Sequence, residues 1–256
     1  MDPATLIGFV VSMVALLAFM IMEGSDPTSL IFLPAIVLVL VATFGAAMSS
    51  QTMDDLKKMP AWFKMAVMPA KVPPATDQIQ TLVTLAEKAR KEGLLALEAQ
   101  VKDIDDPFLK RGLQMGIDGT DPEELRTVLE GEISAKKGED KVAAKFFNAM
   151  GGYAPTVGII GTVVGLIHVL ENLSKPEMLG PLIAGAFVAT LWGVLTANLF
   201  WLPMGAKITR ISELQAAQME LLVEGITEIQ AGTSPRAVRL KLNSLVPPSA
   251  LAKEAA

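Results

Sequence analysis

Cysteine is absent from this chain of 256 residues, and histidine occurs once. Without cysteine there is no disulfide, thiolate metal site or cysteine nucleophile, and a single histidine gives little scope for a His-ligated metal. Asp and Glu (27) outnumber Lys and Arg (22), and no basic block with interleaved aromatics occurs, which argues against nucleic-acid binding. We therefore predict no metal, no cofactor and no nucleic-acid partner.

Charge is also missing from four long apolar runs, at about residues 4–22, 30–48, 156–170 and 179–204. The mean hydropathy of +0.44 and the hydrophobic content of 51% are typical of a membrane protein. A helix needs about 20 residues to cross the hydrocarbon core of a bilayer. No strand pattern stands out. We therefore predict an all-α membrane protein with four transmembrane helices surrounded by lipid.

Basic residues are distributed unevenly between the segments that join these runs. All but one of the 22 Lys and Arg residues lie at residues 51–150 or after Met204, and the exception is Lys175. Cytoplasmic segments of membrane proteins carry the excess of basic residues, so we expect those two segments and both termini to be cytoplasmic. Met1 to Pro3 lack the basic start of a signal peptide, and we expect the first run to be retained as a membrane helix.

The chain divides by composition into four parts. We predict a first transmembrane helix pair at residues 1–50, a cytoplasmic helical domain at 51–150, a second transmembrane pair at 151–206, and a cytoplasmic C-terminal helix and tail at 207–256. After Pro203, apolar residues recur at helical spacing, which predicts a long amphipathic helix continuous with the fourth span.

Capping residues predict three helices in the cytoplasmic domain. The pair Thr76-Asp77 would cap a helix that runs to about Asp103. Asp106 and Asp121 each precede a proline, and proline is favoured at the first position of a helix, so two further helices are expected after them. The last of these would run on towards the membrane.

Small residues recur at every fourth position in the last two runs. Gly161 and Gly165 share one face of the third helix, and Gly185, Ala189 and Gly193 share one face of the fourth. Small residues at this spacing let helix backbones approach closely in lipid. We therefore predict helix packing at these five positions.

Two threonines and two prolines in these runs admit both a structural and a functional interpretation. The hydroxyls of Thr162 and Thr190 could bond to the carbonyl one turn back, or could offer oxygen to a passing cation. Pro155 could start a helix and Pro203 could kink one, or both could form a hinge between membrane and cytoplasm. His168 lies near the outer end of its helix, and we do not expect it to be catalytic.

None of the four runs contains the titratable carboxylate on which a proton relay through a bilayer usually depends. Either the chain is not an ion path, or a partner helix supplies the carboxylate. Periodicity alone leaves both possibilities open.

The segment from Ala154 to Leu166, APTVGIIGTVVGL, resembles the third-span signature of the MotA/PomA flagellar stator family. Four further segments are similar to this family, in the right order. They are MDPATLIG at the start, ARKEGLLALE at 89–98, ATLWG at 189–193 followed by Pro203, and the tail with GTSPR at 232–236 and LVPP at 245–248. The likeness covers nearly the whole chain and implies a multi-pass stator subunit of the bacterial cytoplasmic (inner) membrane.

This resemblance also implies partners and residue roles. Five such chains would surround a dimer of MotB/PomB-type subunits, whose membrane helix supplies the ion-binding Asp. Flow of H+ or Na+ would then drive torque on the rotor protein FliG. Pro155 and Pro203 would couple ion binding to cytoplasmic movement. Thr162 and Thr190 match threonines of sodium-using members, which favours sodium weakly over protons.

The resemblance further implies that Arg90 and Glu98 make the electrostatic contact with the rotor. The two residues are eight positions apart. On one continuous helix they would lie within about 80° of each other, so a single partner surface could reach both.

Two other classes of protein remain as alternatives. An ExbB/TolQ-like ion-driven energiser of an outer-membrane system shares the architecture of the last two spans but usually has three spans, and the additional apolar pair here favours the stator. A membrane enzyme would need paired acids, a Ser/His or Ser/Lys arrangement or metal ligands within its spans. The uncharged runs argue against that, and we expect no enzymatic activity.

Overall fold

A computed structural model describes residues 2–70 and 72–252, with the side chains of Ala250 and Ala252 excepted. These residues form helices and contain no strand, which confirms the all-α prediction. The helices are α1 Pro3–Met22, α2 Leu33–Ser49, α3 Met53–Val67, α4 Ala75–Glu92, α5 Glu98–Lys102, α6 Pro107–Ile117, α7 Pro122–Glu171, α8 Pro176–Thr196, α9 Leu202–Gln230, α10 Pro235–Ser244 and α11 Pro248–Ala252.

Three helical stretches of the described residues are long and apolar enough to cross a membrane. They are Pro3–Met22, Pro122–Glu171 and Pro176–Gln230, the last of which joins α8 and α9. The remaining predicted span, the second along the chain, corresponds to α2, which is apolar but only 17 residues long. Its start is shifted to Leu33 because Pro27–Leu30 forms a separate 3-10 turn.

The chain forms two compact units. The first comprises Met1–Ala70 and Asp140–Arg210, and the second comprises Lys71–Glu139 and Ile211–Ala256. Both α7 and α9 contribute residues to each unit. We refer to the first as the apolar unit, since it contains α1, α2 and α8, and to the second as the charged unit.

Aromatic side chains build the core at one end of the apolar unit. Phe146 and Phe147 of α7 are completely buried, and their rings meet edge to face at 5.5 Å. Trp62 of α3 lies 5.7 Å from the Phe146 ring, and Phe63 lies 5.0 Å from the Phe147 ring. This core explains α3, a helix that the sequence analysis did not predict.

The charged unit has an aliphatic core. Fully or nearly fully buried side chains come from α4, α6, α7, α9 and α10, and include Leu82, Leu113, Leu129, Ile226 and Leu242. The predicted starts of two of these helices are confirmed. Asp106 accepts hydrogen bonds from the first turn of α6, and Asp121 accepts them from the first turn of α7.

The predicted helix from the Thr76-Asp77 pair to Asp103 is wrong in two respects. Its helix α4 starts at Ala75 without a side-chain cap, and it ends at Glu92. Gly93 has a φ of +85°, a left-handed conformation that stops a helix and that only glycine adopts at little cost. The chain then makes a 3-10 turn, Leu94–Leu97, before α5.

The third span does not begin at Pro155. Instead, α7 is a single helix of 50 residues that contains this proline in its interior. The interpretation of Pro155 as a helix-start residue is therefore wrong. The predicted continuation of the fourth span into a long amphipathic helix is confirmed, with the π-helical segment Ala197–Trp201 between α8 and α9.

Candidate functional site

The backbones of α7 and α8 touch where two glycines face each other. A Cβ atom on Gly158 would lie 2.8 Å from the carbonyl oxygen of Ala189 and 3.0 Å from the Cα of Thr190. A Cβ atom on Gly193 would lie 2.6 Å from the carbonyl oxygen of Ala154. Backbone atoms cannot yield as a flexible side chain can, so neither position has room for any residue but glycine.

Further towards the C-terminus of α7, two more glycines contact alanines of α8. A Cβ atom on Gly161 would lie 2.7 Å from the Cβ of Ala189, and one on Gly165 would lie 2.7 Å from the Cβ of Ala186. Gly185 differs from this set, because its nearest neighbour is the ring of Phe32, just before α2. The structure thus places four of the five predicted packing residues between α7 and α8, and Gly185 against the α2 side.

The sequence analysis missed Gly158, although it makes one of the closest backbone approaches. A usable signal was present, because Gly158 lies seven residues before Gly165 and therefore two turns away on the same helix face. Gly158 does not belong to the series of small residues spaced four apart, because it lies three residues before Gly161.

Thr162 and Thr190 meet directly across this glycine contact. Their hydroxyl oxygens are 2.5 Å apart. The hydroxyl of Thr162 is also 2.9 Å from the carbonyl oxygen of Ala186 and 3.3 Å from that of Gly158, and the hydroxyl of Thr190 is 3.3 Å from the same Gly158 oxygen. Both side chains are half-buried.

One proton arrangement satisfies both threonines. Thr190 donates its hydrogen to Thr162, and Thr162 donates to the Ala186 carbonyl oxygen. Each hydroxyl oxygen has two lone pairs, so Thr190 retains both and Thr162 retains one. The pair therefore serves as a hydrogen-bonded link between the helices and still offers oxygen to a cation or to water.

No charged side chain lies on α7 between residues 146 and 170, or on the helical stretch between residues 178 and 206. Among the described residues, no group of three or more His, Cys, Asp or Glu side chains could hold a metal ion. His168 is exposed near the end of α7, with its Nδ1 3.3 Å from Glu171. The Thr162–Thr190 pair is thus surrounded by neutral groups on its own helices.

Both prolines lie where a helix lacks regular hydrogen bonding. Pro155 is half-buried inside α7, and a proline there removes the hydrogen bond to the carbonyl four residues earlier. Pro203 is exposed and lies two residues after the π-helical segment Ala197–Trp201, at whose end the N–H of Leu202 donates to the carbonyl of Ala197. Single-turn π segments inside α-helices occur frequently at functional sites.

A cavity of about 490 Å³ lies beside the π-helical segment. It is lined by one face of α1, by the end of α3 and by residues 198–207, which include Asn198, Phe200 and Pro203. At its edge, Lys207 donates a hydrogen bond of 2.7 Å to Thr5 and pairs with Asp2 at 3.0 Å. Sequence analysis assigned no role to these polar residues, because their partners are about 200 residues away in the chain.

Arg90 and Glu98 do not lie on one helix. Arg90 is in the last turn of α4 and Glu98 is the first residue of α5, and the left-handed Gly93 with its following 3-10 turn separates them. The argument that a continuous helix brings the two within one surface is therefore wrong. Both side chains are exposed.

The sequence analysis also missed a cluster of ion pairs in the charged unit. Arg126 of α7 donates a hydrogen bond of 2.7 Å to Glu224 of α9, and Lys241 of α10 pairs with both Glu224 and Glu228. Burial opposes the charged form of Glu224, but the hydrogen bonds from Lys241 and Arg126 outweigh it and lower the pKa of this carboxyl. The cluster ties three helices together.

These features define a class of protein. The chain is a multi-pass helical membrane protein in which the apolar parts of two helices pack backbone to backbone around a pair of hydroxyls, and a second, charged unit is also helical. It belongs to the MotA/TolQ/ExbB proton channel family, whose model matches residues 100–221.

Individual relatives support the same assignment. The chain is 34% identical to motility protein A of Bacillus subtilis (strain 168), over 96% of this chain and 92% of that protein. It is 36% identical to motility protein A of Borreliella burgdorferi, over 97% and 95% of the two chains. Its fold matches the flagellar MotAB stator complex from Bacillus subtilis with a TM-score of 0.91, at 34% identity over 99% of this chain and 100% of the other.

The chain is accordingly a flagellar motor stator subunit of the motility protein A type, and not an ExbB/TolQ-like energiser. It is an ion-channel component rather than an enzyme. Membership of this family, together with its apolar helices, makes it a membrane protein of bacterial motility.

Proposed function

We propose that this chain forms the wall of a proton or sodium path and that a MotB/PomB-type partner supplies the ion-accepting Asp within it. The observation that carries the proposal is the absence of charge along the membrane parts of α7 and α8, where the two helices pack around Thr162 and Thr190. Ion transfer through a bilayer generally uses an intramembrane carboxylate. A second subunit must therefore contribute that group.

The proposed topology has four spans. Helix α2 is 17 residues long, and at 1.5 Å per residue it extends about 26 Å. The apolar residues 30–32 before it add to this length, which brings it close to the roughly 30 Å of the hydrocarbon core. With four spans, the charged unit and both termini lie in the cytoplasm, as the distribution of Lys and Arg favours.

We further propose that five copies surround the partner dimer and that the charged unit contacts the rotor protein FliG. The family likeness supports both statements. Arg90 and Glu98 are the proposed contact residues, because both are exposed and lie on either side of one turn. An exposed ion pair contributes only about 0.2–1 kcal/mol, which suits a contact that must form and break at each step.

Thr162 and Thr190 are the proposed oxygen donors of the path. The two hydroxyls lie within 3.3 Å of each other and of the Gly158 carbonyl oxygen, and that of Thr162 also lies 2.9 Å from the Ala186 carbonyl oxygen. Oxygen is the ligand type that hard cations prefer. Pro155 and Pro203 are the proposed coupling hinge. The π-helical segment before Pro203 supports this role, since it already departs from regular helical bonding.

The proposal is tested in cells whose own copy of the gene is deleted. Such cells should build flagella but not swim, and reintroducing this chain with its partner should restore swimming. Replacing external sodium by potassium should then stop swimming. In sodium medium, Thr162→Ser should still swim because it keeps the hydroxyl, whereas Thr162→Val should not.

Each of these experiments tests a separate part of the proposal. Swimming by the deleted strain would contradict the stator function. Unchanged speed in potassium would assign protons as the coupling ion, and full motility of Thr162→Val would remove that hydroxyl from the path.

A further inference from the structure

Leu95 is exposed in a 3-10 turn whose two other leucines pack against the core of the charged unit. The residue is 73% exposed, whereas Leu97 in the same 3-10 turn is 0% exposed. Leu94 is partly buried against the aliphatic core of the charged unit. The turn therefore cannot rotate to bury Leu95 without withdrawing Leu97 from that core.

Charges of opposite sign border this leucine on both sides. Arg90 precedes it by five residues and Glu98 follows it by three. A chain extends at most about 3.6 Å per residue, so Arg90 lies within about 18 Å and Glu98 within about 11 Å of Leu95 between Cα atoms. Gly93, with its φ of +85°, turns the chain between the first charge and the leucine.

We propose that Leu95 is the apolar anchor of the rotor contact, and that Arg90 and Glu98 border it. The partner is a folded protein surface with an apolar recess that receives Leu95, an acidic group facing Arg90 and a basic group facing Glu98. This inference rests on the proposed function, which places the rotor at this turn. The charges set orientation and encounter rate, while burial of the leucine supplies most of the affinity.

An exposed leucine is by itself ordinary, since single apolar residues are scattered over most protein surfaces. Its position distinguishes Leu95, because it is the exposed leucine of the turn that joins the two oppositely charged contact residues proposed above. Leu240 on α10 provides a matched control. It is 75% exposed, and its neighbours in the chain, Arg239 and Lys241, are both basic.

The test measures binding of purified FliG from the same organism to the purified complex of this chain and its partner. Leu95→Gln and Leu240→Gln are compared with the unchanged complex at low and at high salt. We expect Leu95→Gln to weaken binding at least about tenfold at both salt concentrations, because loss of apolar burial is not screened by salt. Leu240→Gln should bind like the unchanged complex.

A charge-reversed variant, Arg90→Glu with Glu98→Lys, separates failure of this inference from failure of the proposed function. If the reversal weakens binding but Leu95→Gln does not, the leucine is no anchor and the electrostatic contact stands. If neither change affects binding, the rotor contact at this turn is wrong and the anchor falls with it. Equal weakening by Leu240→Gln would also overturn the inference. The size of each purified complex verifies assembly.

Discussion

At the scale of single residues, Gly158 and Gly193 set how closely α7 and α8 can approach. Their missing Cβ atoms leave space that backbone atoms of the opposite helix occupy. In lipid, where water does not drive helices together, such close packing is a main source of association. The contact also brings the hydroxyls of Thr162 and Thr190 within hydrogen-bonding distance.

Gly158→Ala should therefore destabilise the protein, although alanine is the better helix former. The added methyl would press on backbone atoms of Ala189 and Thr190, and overpacking of this kind costs about 1–3 kcal/mol. Gly152→Ala is the matched control on the same helix, because nothing lies within 4 Å of its Cβ position. It should leave stability unchanged or raise it by up to about 1 kcal/mol.

Thermal unfolding of the purified chain in detergent, followed by circular dichroism, measures both variants. A melting temperature for Gly158→Ala equal to that of the unchanged chain would show that α7 and α8 have room to separate.

Sequence spacing predicted part of this residue-scale arrangement. Gly161, Gly165, Ala189 and Gly193 were identifiable because each helix face can be read from its own period. The meeting of Thr162 with Thr190 was not, since it depends on the register of one helix against the other, and a single sequence does not specify that register. The same reason explains why the partners of Lys207 were not found.

At the scale of helices, the cluster around Glu224 holds α7, α9 and α10 together. Glu224 receives hydrogen bonds from Arg126 and Lys241, and its side chain is partly buried, with 14% of its surface exposed. These bonds also raise the pKa of Lys241, with Glu224 as the larger cause and Glu228 as the smaller. The cluster replaces apolar packing with charge pairing at this position.

Glu224→Gln should lower stability at neutral pH by about 1–3 kcal/mol, because it leaves two cations without their shared carboxylate. The pKa of Glu224 is lower in the folded than in the unfolded chain, whose value is near 4.5. The stabilisation is therefore complete above that pH and is lost as the pH falls through the folded-state pKa. The deficit of the variant should accordingly shrink below pH 4.5.

Unfolding of both proteins between pH 7 and pH 3 provides the measurement. Glu220→Gln, an exposed position one turn earlier on α9, is the control and should behave like the unchanged chain. A deficit that stays constant down to pH 3 would mean that the ionised carboxylate is not what stabilises the cluster.

Helix prediction succeeded where a strong local signal exists. The uncharged run of α1 and the Asp-Pro starts of α6 and α7 were sufficient to find those helices. In contrast, α3 was missed because its buried residues Met59 and Trp62 alternate with lysines and a proline. The end of α4 at Gly93 was missed because apolar periodicity continues past it, and only the conformation of one glycine interrupts the helix.

At the scale of the whole molecule, the proposed ion path and the proposed rotor contact lie in different units. The apolar unit contains the glycine contact and the hydroxyl pair, and the charged unit contains the turn with Leu95. Two helices, α7 and α9, supply residues to both units; α7 contains Pro155 in its interior, and Pro203 is the second residue of α9. Composition predicted the membrane class, and the family likeness predicted the stator function and the charged rotor-contact residues. The contact between α7 and α8 became evident only from the structure.

The central claim is that this chain conducts no ions unless a partner subunit supplies the carboxylate of the ion path. The most direct measurement is ion flux into liposomes under an imposed membrane potential. Three samples are needed: the purified chain alone, the chain with its partner, and the chain with a partner whose membrane Asp is replaced by Asn. We expect flux of H+ or Na+ only in the second sample. Flux through the chain alone, or unchanged flux with the Asn variant, would contradict the account.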